Sequence, residues 1–332
     1  MKKLYMFFVI LNSMAWIAKA QIISLSDTVG AITISPKGII GQTNGNPSLN
    51  VGLGSNALRS ITTGHSNAGI GRFSLSANSS GSYNSALGTN TLQNNTTGNY
   101  NVAIGQNALM SNTSGSYNIA IGLDALKSNI GLGPNAEGNV AIGQSALSNA
   151  TLTRGNTSIG YGSMNYLILG NDNTGAGSET LALMSMGHGN TAVGSAAMYK
   201  AKANSDKNVA VGVRAGENMS GGLNTFLGYE SGALTIGSGN VFLGSLSGLN
   251  AAFANVDNRL IIDNSASPTP LIYGEFDNKV LKINGKLLLQ KNNGVPASST
   301  APGIEGQLAF DDQYFYICIQ NNVWKRFSLS SW

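Results

Sequence analysis

Of 332 residues, one is a cysteine, Cys318, and two are histidines, His65 and His188. A lone cysteine excludes an internal disulfide, so packing alone must hold the fold together. Cys318 sits in an aromatic stretch with no base near it in sequence, which reads as a buried, inert thiol. The two histidines are seven repeats apart, roughly 34 Å at the spacing of stacked strands, too far to share one metal or one catalytic centre. Both read as loop residues, and no cofactor is expected. Charge is scarce as well, at 10% of the chain against roughly 25% in an ordinary soluble domain. Without Lys2, Lys3 and Lys19, 16 basic residues face 15 acidic ones. No basic patch remains, which excludes nucleic acid as a partner. The carboxylates look scattered, Asp311-Asp312 being the only adjacent pair.

Long apolar runs are missing too. Leu4 to Ile17 follows Lys2-Lys3, is interrupted by Asn12-Ser13 and ends before Ala18-Lys19-Ala20. A membrane span needs about 20 apolar residues, so residues 1–20 read instead as a secretory signal peptide. Its removal would leave Gln21 first, with no cysteine for lipid attachment and no transmembrane segment. The expected location is therefore extracellular or on a bacterial cell surface.

What the chain has in excess is glycine, 43 residues, and asparagine, and both fall in register. Asn101-Val-Ala-Ile-Gly105 returns as Asn118-Ile-Ala-Ile-Gly122, Asn139-Val-Ala-Ile-Gly143 and Asn208-Val-Ala-Val-Gly212. Looser copies begin at Asn50, Asn67, Asn84, Asn156, Asn173, Asn190, Asn224 and Asn240. Twelve copies follow one another at steps of 16 to 21 residues, most of them 17. A phrase such as Gln106-Asn-Ala-Leu109 or Gln144-Ser-Ala-Leu147 comes next, then a polar stretch such as Asn112-Thr-Ser-Gly115. Seventeen residues are too few for a two-helix repeat, and the Gly, Asn and Ser content opposes helix. The pattern predicts an all-β chain, a parallel β-roll or β-solenoid of about 12 coils. Each coil should be a strand, a glycine turn, a short second strand and a polar return.

The recurrent Asn is expected to form an amide ladder, and the recurrent Gly to occupy a turn closed to other residues. In Asn101-Val-Ala-Ile-Gly, Val102 and Ile104 share one face and Ala103 takes the other, both apolar. A strand apolar on both faces is buried on both. One face must then be covered from outside the coil, most simply by further copies of the chain.

Around the repeats, residues 21–46 read as an N-terminal β cap, 47–250 as the roll and 251–290 as a β neck with an Asn284-Gly285 turn. Residues 291–303 read as a linker. The last segment, 304–332, reads as a small β-module whose hairpin turns at Asn321-Asn322.

The phrase Asn-Val-Ala-Ile-Gly followed by x-x-Ala-Leu resembles the head repeats of trimeric autotransporter adhesins, the YadA-like or haemagglutinin-type repeat, over roughly residues 50–250. The resemblance implies a left-handed parallel β-roll, three chains about one axis, and surface attachment to a host or environmental glycan or matrix protein. The C-terminal 30 or so residues resemble end modules of phage tail fibres.

These observations predict a secreted homotrimeric fibre or adhesin that is not an enzyme. A solenoid enzyme acting on polysaccharide is the alternative; it needs carboxylates grouped on neighbouring coils, and on this reading the repeat region offers none. An ice-binding solenoid would need a flat threonine array, and Thr157, Thr174, Thr191 and Thr225 are interrupted. The candidate ligand-binding residues are Tyr83, Tyr100 and Tyr117, each just before a repeat Asn in consecutive coils. The column serves either as a platform for sugar rings or as stacking that stiffens the rod.

Overall fold

The computed structural model describes residues 50–130, 136–288 and 294–330. The expected signal peptide and N-terminal β cap lie outside the described residues. Each repeat forms one turn of a parallel β-solenoid, as expected, and contributes a three-residue strand, from Val51–Leu53 in the first coil to Val241–Leu243 in the twelfth. These strands stack in strict register, Val102 beside Ile119 and Ala103 beside Ala120. A further parallel strand, Arg259–Ile262, and two antiparallel ones, Ile272–Glu275 and Val280–Ile283, complete a 15-stranded sheet. The chain divides into a solenoid unit ending at Asn284 and a second unit from Gly285. The turn in this closing region falls between Glu275 and Val280, with Lys279 at φ 55°, and not at Asn284-Gly285.

The expected second strand of each coil is replaced by turns. In Gln106–Leu109 the backbone enters the left-handed region at Asn107 (φ 59°) and Leu109 (φ 51°), which no strand accommodates. The segment bonds upward instead, Leu109 N–H donating to the Ala125 carbonyl at 3.0 Å. Among the described residues, Leu152–Arg154 and Leu169–Asn171 pair as a separate two-stranded sheet, and single parallel bridges join Leu169 to Met186 and Ser220 to Ile236.

The core assigns the two apolar faces of each strand. Ala103 points inward and is fully buried, packed with Leu109 and its equivalents Leu92, Leu126 and Leu147. Burying one such leucine stabilises the fold by about 1.5–3 kcal/mol. Late coils exchange sizes at these two places. Phe226 and Phe242 replace the small inward residue, and Gly232 and Gly248 replace the leucine. A Cβ on Gly232 would collide with the Phe226 ring, so volume moves between positions while the coil cross-section stays filled.

Asparagine forms the ladder that the repeat predicts. The Asn101 amide donates to Asn84 Oδ1 (3.1 Å) and to the Gly115 carbonyl (2.9 Å), and its Oδ1 accepts from the Asn118 N–H (3.0 Å) and Nδ2 (3.3 Å). Two donors and two acceptances fill the amide's capacity in a site without exposure. A shorter ladder runs through Asn78, Asn95 and Asn112 at 2.8 Å. The glycine after each strand is required by proximity: Gly105 has φ 119°, and a Cβ there would lie 2.6 Å from the Gly122 carbonyl oxygen.

In the C-terminal unit Leu308–Phe310, Tyr314–Gln320 and Val323–Ser328 form an antiparallel sheet, and Asn322 takes φ 60° in the turn. Cys318 is buried against Ala309, Tyr316 and Trp324, with Sγ 3.0 Å from the Gln320 carbonyl. Asp311 is structural: its carboxylate accepts the N–H groups of Gln313 and Tyr314 and the Tyr316 hydroxyl, each at 2.7 Å.

Candidate functional site

Outward side chains fall in columns because the coils are in register. Tyr83, Tyr100 and Tyr117 form one such column, with ring centroids 4.8 and 5.1 Å apart and planes within 4°. His65 closes one end edge-on to Tyr83 at 5.0 Å. Each tyrosine sits in the left-handed region, φ 56–61°, and its N–H donates to the preceding coil, as Tyr100 N–H does to the Ser82 carbonyl at 3.1 Å. Both faces of the Tyr100 ring are thus covered by its neighbours, which leaves mainly ring edges to solvent. Sugar rings stack on aromatic faces, so this geometry favours the stiffening role. Replacing all three tyrosines by serine is expected to lower stability by about 1–3 kcal/mol, the worth of two stacked pairs, and to change no binding to sugars. Calorimetry with a binding assay checks this; lost binding at an unchanged melting temperature would make the column the binding site.

A second face carries more chemistry. It is built from the turns after the glycines, where two residues adopt positive φ, the first, such as Glu179 or Arg214, projecting outward and the second, such as Leu181, into the core, from the coil of Asn139 to that of Asn224. At one end Ser145, Tyr161, Asn165, Tyr166, Glu179 and Tyr199 line a shallow depression of about 120 Å³. At the other, Arg214 binds two carboxylates from consecutive coils. Its Nε is 2.9 Å and its Nη2 2.8 Å from Glu217 Oε2, while Nη1 is 2.7 Å from Glu230 Oε1. The Tyr229 hydroxyl donates to that same Glu230 oxygen at 2.8 Å. Hydrogen bonding to Glu217 and the charges of both glutamates raise the Arg214 pKa further, so the guanidinium stays charged. The bond to Glu230 likewise raises the Tyr229 pKa and keeps its proton in place.

This cluster corrects the sequence reading that no carboxylates are grouped on neighbouring coils. Glu217 and Glu230 occupy different places in their repeats, so scanning for a repeated acidic position misses them. Arg214, three residues before one and sixteen before the other, was the available signal. Among the described residues no group of three His, Cys, Asp or Glu side chains is placed to hold a metal ion. His65 and His188 stay apart, His188 Nδ1 accepting from the Asn171 N–H at 3.2 Å. Thr157, Thr174 and Thr191 are adjacent in register, but Val209 separates them from Thr225. No helix among the described residues is long and apolar enough to cross a membrane.

Fold and faces together define a fibre-like parallel β-solenoid. Among curated proteins, the chain is 32% identical over 111 residues to a capsule K30/K69-specific depolymerase of Klebsiella phage K64-1. It is 38% identical over 50 residues to depolymerase 1, capsule K30/K69-specific, of Klebsiella phage K5-2. The matches take in 33% and 15% of this chain but only 12% and 6% of those proteins. No family model matches, and no solved structure does. The similarity supports a phage tail-fibre-like solenoid and does not show autotransporter head repeats. The expectation of a protein without enzymatic activity is overturned here, because both relatives are named depolymerases, which are enzymes. It also places the polysaccharide-acting alternative ahead of the adhesin.

Proposed function

We propose that this protein is a tail-fibre-like solenoid that acts on an extracellular polysaccharide of the capsule type. The observation that carries the reading is the pair Glu217 and Glu230, held on neighbouring coils by one arginine, in a chain related in part to capsule depolymerases. Cleaving a glycosidic bond asks for two positioned carboxylates or an equivalent acid and base. Both glutamate side chains are mostly covered, 13% and 16% exposed, and their bonds to Arg214 fix where their oxygens point. Tyr229 adds a hydroxyl that retains its proton. Export through the N-terminal signal would bring the chain to such a substrate. The assembly that fits the reading is a homotrimer with the outward sheet faces turned to one another.

The test is to incubate the full chain with purified K30 and K69 capsule polysaccharides and to follow viscosity and the appearance of new chain ends. Shortening of a polysaccharide is expected, and Glu217→Gln and Glu230→Gln should each reduce the rate about 10²–10⁴-fold, the usual worth of a positioned acid or base. Unshortened polysaccharide would sink the reading. Full activity in both variants would remove the two glutamates from it.

A further inference from the structure

We infer that the depression between Tyr161, Tyr166 and Tyr199 is a subsite for one neutral hexose ring of a polysaccharide chain. The inference rests on the polysaccharide reading above and adds to it the place and the charge of the sugar.

The rings here are unstacked, whereas Tyr83 and Tyr100 are covered by neighbouring rings and in that column Tyr117 alone keeps an open face, at 59% exposure. Tyr161 and Tyr166 are 56% and 51% exposed, and no other aromatic ring stacks on either among the described residues. Tyr199 approaches from two coils further on and is half-buried. The backbone fixes their separation: Tyr166 N–H donates to the Ala182 carbonyl at 3.0 Å, and Leu183 N–H to the Tyr199 carbonyl at 2.9 Å. Tyr161 is tied in the same way, its carbonyl accepting from the Glu179 N–H at 2.8 Å. Tyr161 and Tyr166 thus share one coil and Tyr199 lies two coils on, a separation of roughly 9.6 Å at the strand spacing, the scale of one pyranose with its hydroxyls. At about 120 Å³ the depression is shallow, so a ring would lie against it as one residue of a passing chain.

Polar groups at the rim suit hydroxyls. Asn165 Oδ1 already accepts from Asn149 Nδ2 at 3.1 Å, which orients the Asn165 amide nitrogen as a free donor. Glu179 supplies an acceptor and Ser145 a hydroxyl, giving an apolar floor with a few convergent polar groups. Charge decides the class of sugar. The lining holds one carboxylate and no cation. The nearby cation, Lys200, has its Nζ 5.6 Å from the centre of the Tyr199 ring and is not part of the lining. A uronate or a pyruvylated ring would meet Glu179 with like charge, whereas a neutral hexose can donate to it.

The place along the rod ties the subsite to the carboxylates. Lys200 N–H donates to the Glu217 carbonyl at 2.6 Å, so the coil that brings Tyr199 lies directly beside the coil of Arg214 and Glu217. From the middle of the depression to Glu230 is three coils, roughly 14 Å, the length of a few sugar residues. A chain seated in the subsite would therefore pass over the Arg214 cluster.

The full chain should be titrated by calorimetry and saturation-transfer NMR with glucose and galactose oligomers and, separately, with oligogalacturonate. A neutral oligomer is expected to bind and oligogalacturonate is not. Tyr166→Ala should weaken the neutral oligomer about tenfold, equivalent to roughly 1.4 kcal/mol, and Tyr166→Phe should retain it, which separates stacking from folding. On capsule polysaccharide Tyr166→Ala should raise KM and spare kcat. Equal binding by Tyr166→Ala, a preference for oligogalacturonate, or no binding of any neutral oligomer would overturn the subsite. Neutral oligomers bound through Tyr166 by a protein that shortens no polysaccharide would leave the subsite standing and remove the enzymatic reading. Cleavage unaffected by Tyr166→Ala would do the reverse.

Discussion

Replacing Asn101 by leucine should destabilise the solenoid by on the order of 5 kcal/mol, near the whole stability of many domains. The two side chains have the same number and branching of heavy atoms, so lost polar contacts are the main cost. Leucine would leave the Asn118 N–H and one donor of the Asn118 amide without a partner, and would take one of two donors from the Gly115 carbonyl, which keeps Asn112, and one from Asn84 Oδ1. All lie in a region closed to water, and each unsatisfied group costs about 1–3 kcal/mol. The ladder passes the damage up and down, because each amide is oriented by the one before it. Lys127→Ala, which removes a half-exposed ion pair with Asp124 at 3.4 Å, should cost less than about 0.5 kcal/mol. Thermal unfolding of both variants is the check. Similar melting temperatures would mean that the amide ladder does not hold the coils together.

Ile104→Asp is expected to break a trimer into monomers. In a single chain Ile70, Leu87, Ile104, Ile159, Val193 and Leu227 form an outward stripe, each 38–50% exposed. Such a stripe along twelve coils exceeds the few hundred Å² of apolar patch that a soluble monomer usually shows. Three stripes meeting at an axis would bury it. Light scattering on the wild type should then give three times the chain mass, and Ile104→Asp a smaller species, since an unpaired charge would enter the seam from all three chains at several kcal/mol each. The variant separates two kinds of burial. On the outward face of an isolated chain an aspartate meets water and costs little, so a large effect can come only from association. A wild-type monomer, soluble and stable, would eliminate the assembly.

The sequence by itself determined the period, the number of coils and the parallel stacking. A residue that must be Asn, followed four positions later by one that must be Gly, marks each coil, and both demands are local. The amide must bond to its copies in the neighbouring coils, and the glycine must pass a carbonyl at a distance that excludes a Cβ. Register carried the Tyr83, Tyr100 and Tyr117 column for the same reason: equal positions in equal repeats stack. Tertiary structure decided the rest. Val102-Ala-Ile104 is apolar throughout, and only the closure of the coil over Leu109 shows that Ala103 lies inside while Ile104 faces out. The same closure replaced the expected second strand with left-handed turns, and those turns aim Tyr161, Tyr166, Glu179 and Arg214 outward. Glu217 and Glu230 meet at Arg214 although they stand at different points of their repeats. Side chains several atoms long reach across coils, so a column read from the sequence places Cα atoms in line but does not say where the charged ends come together.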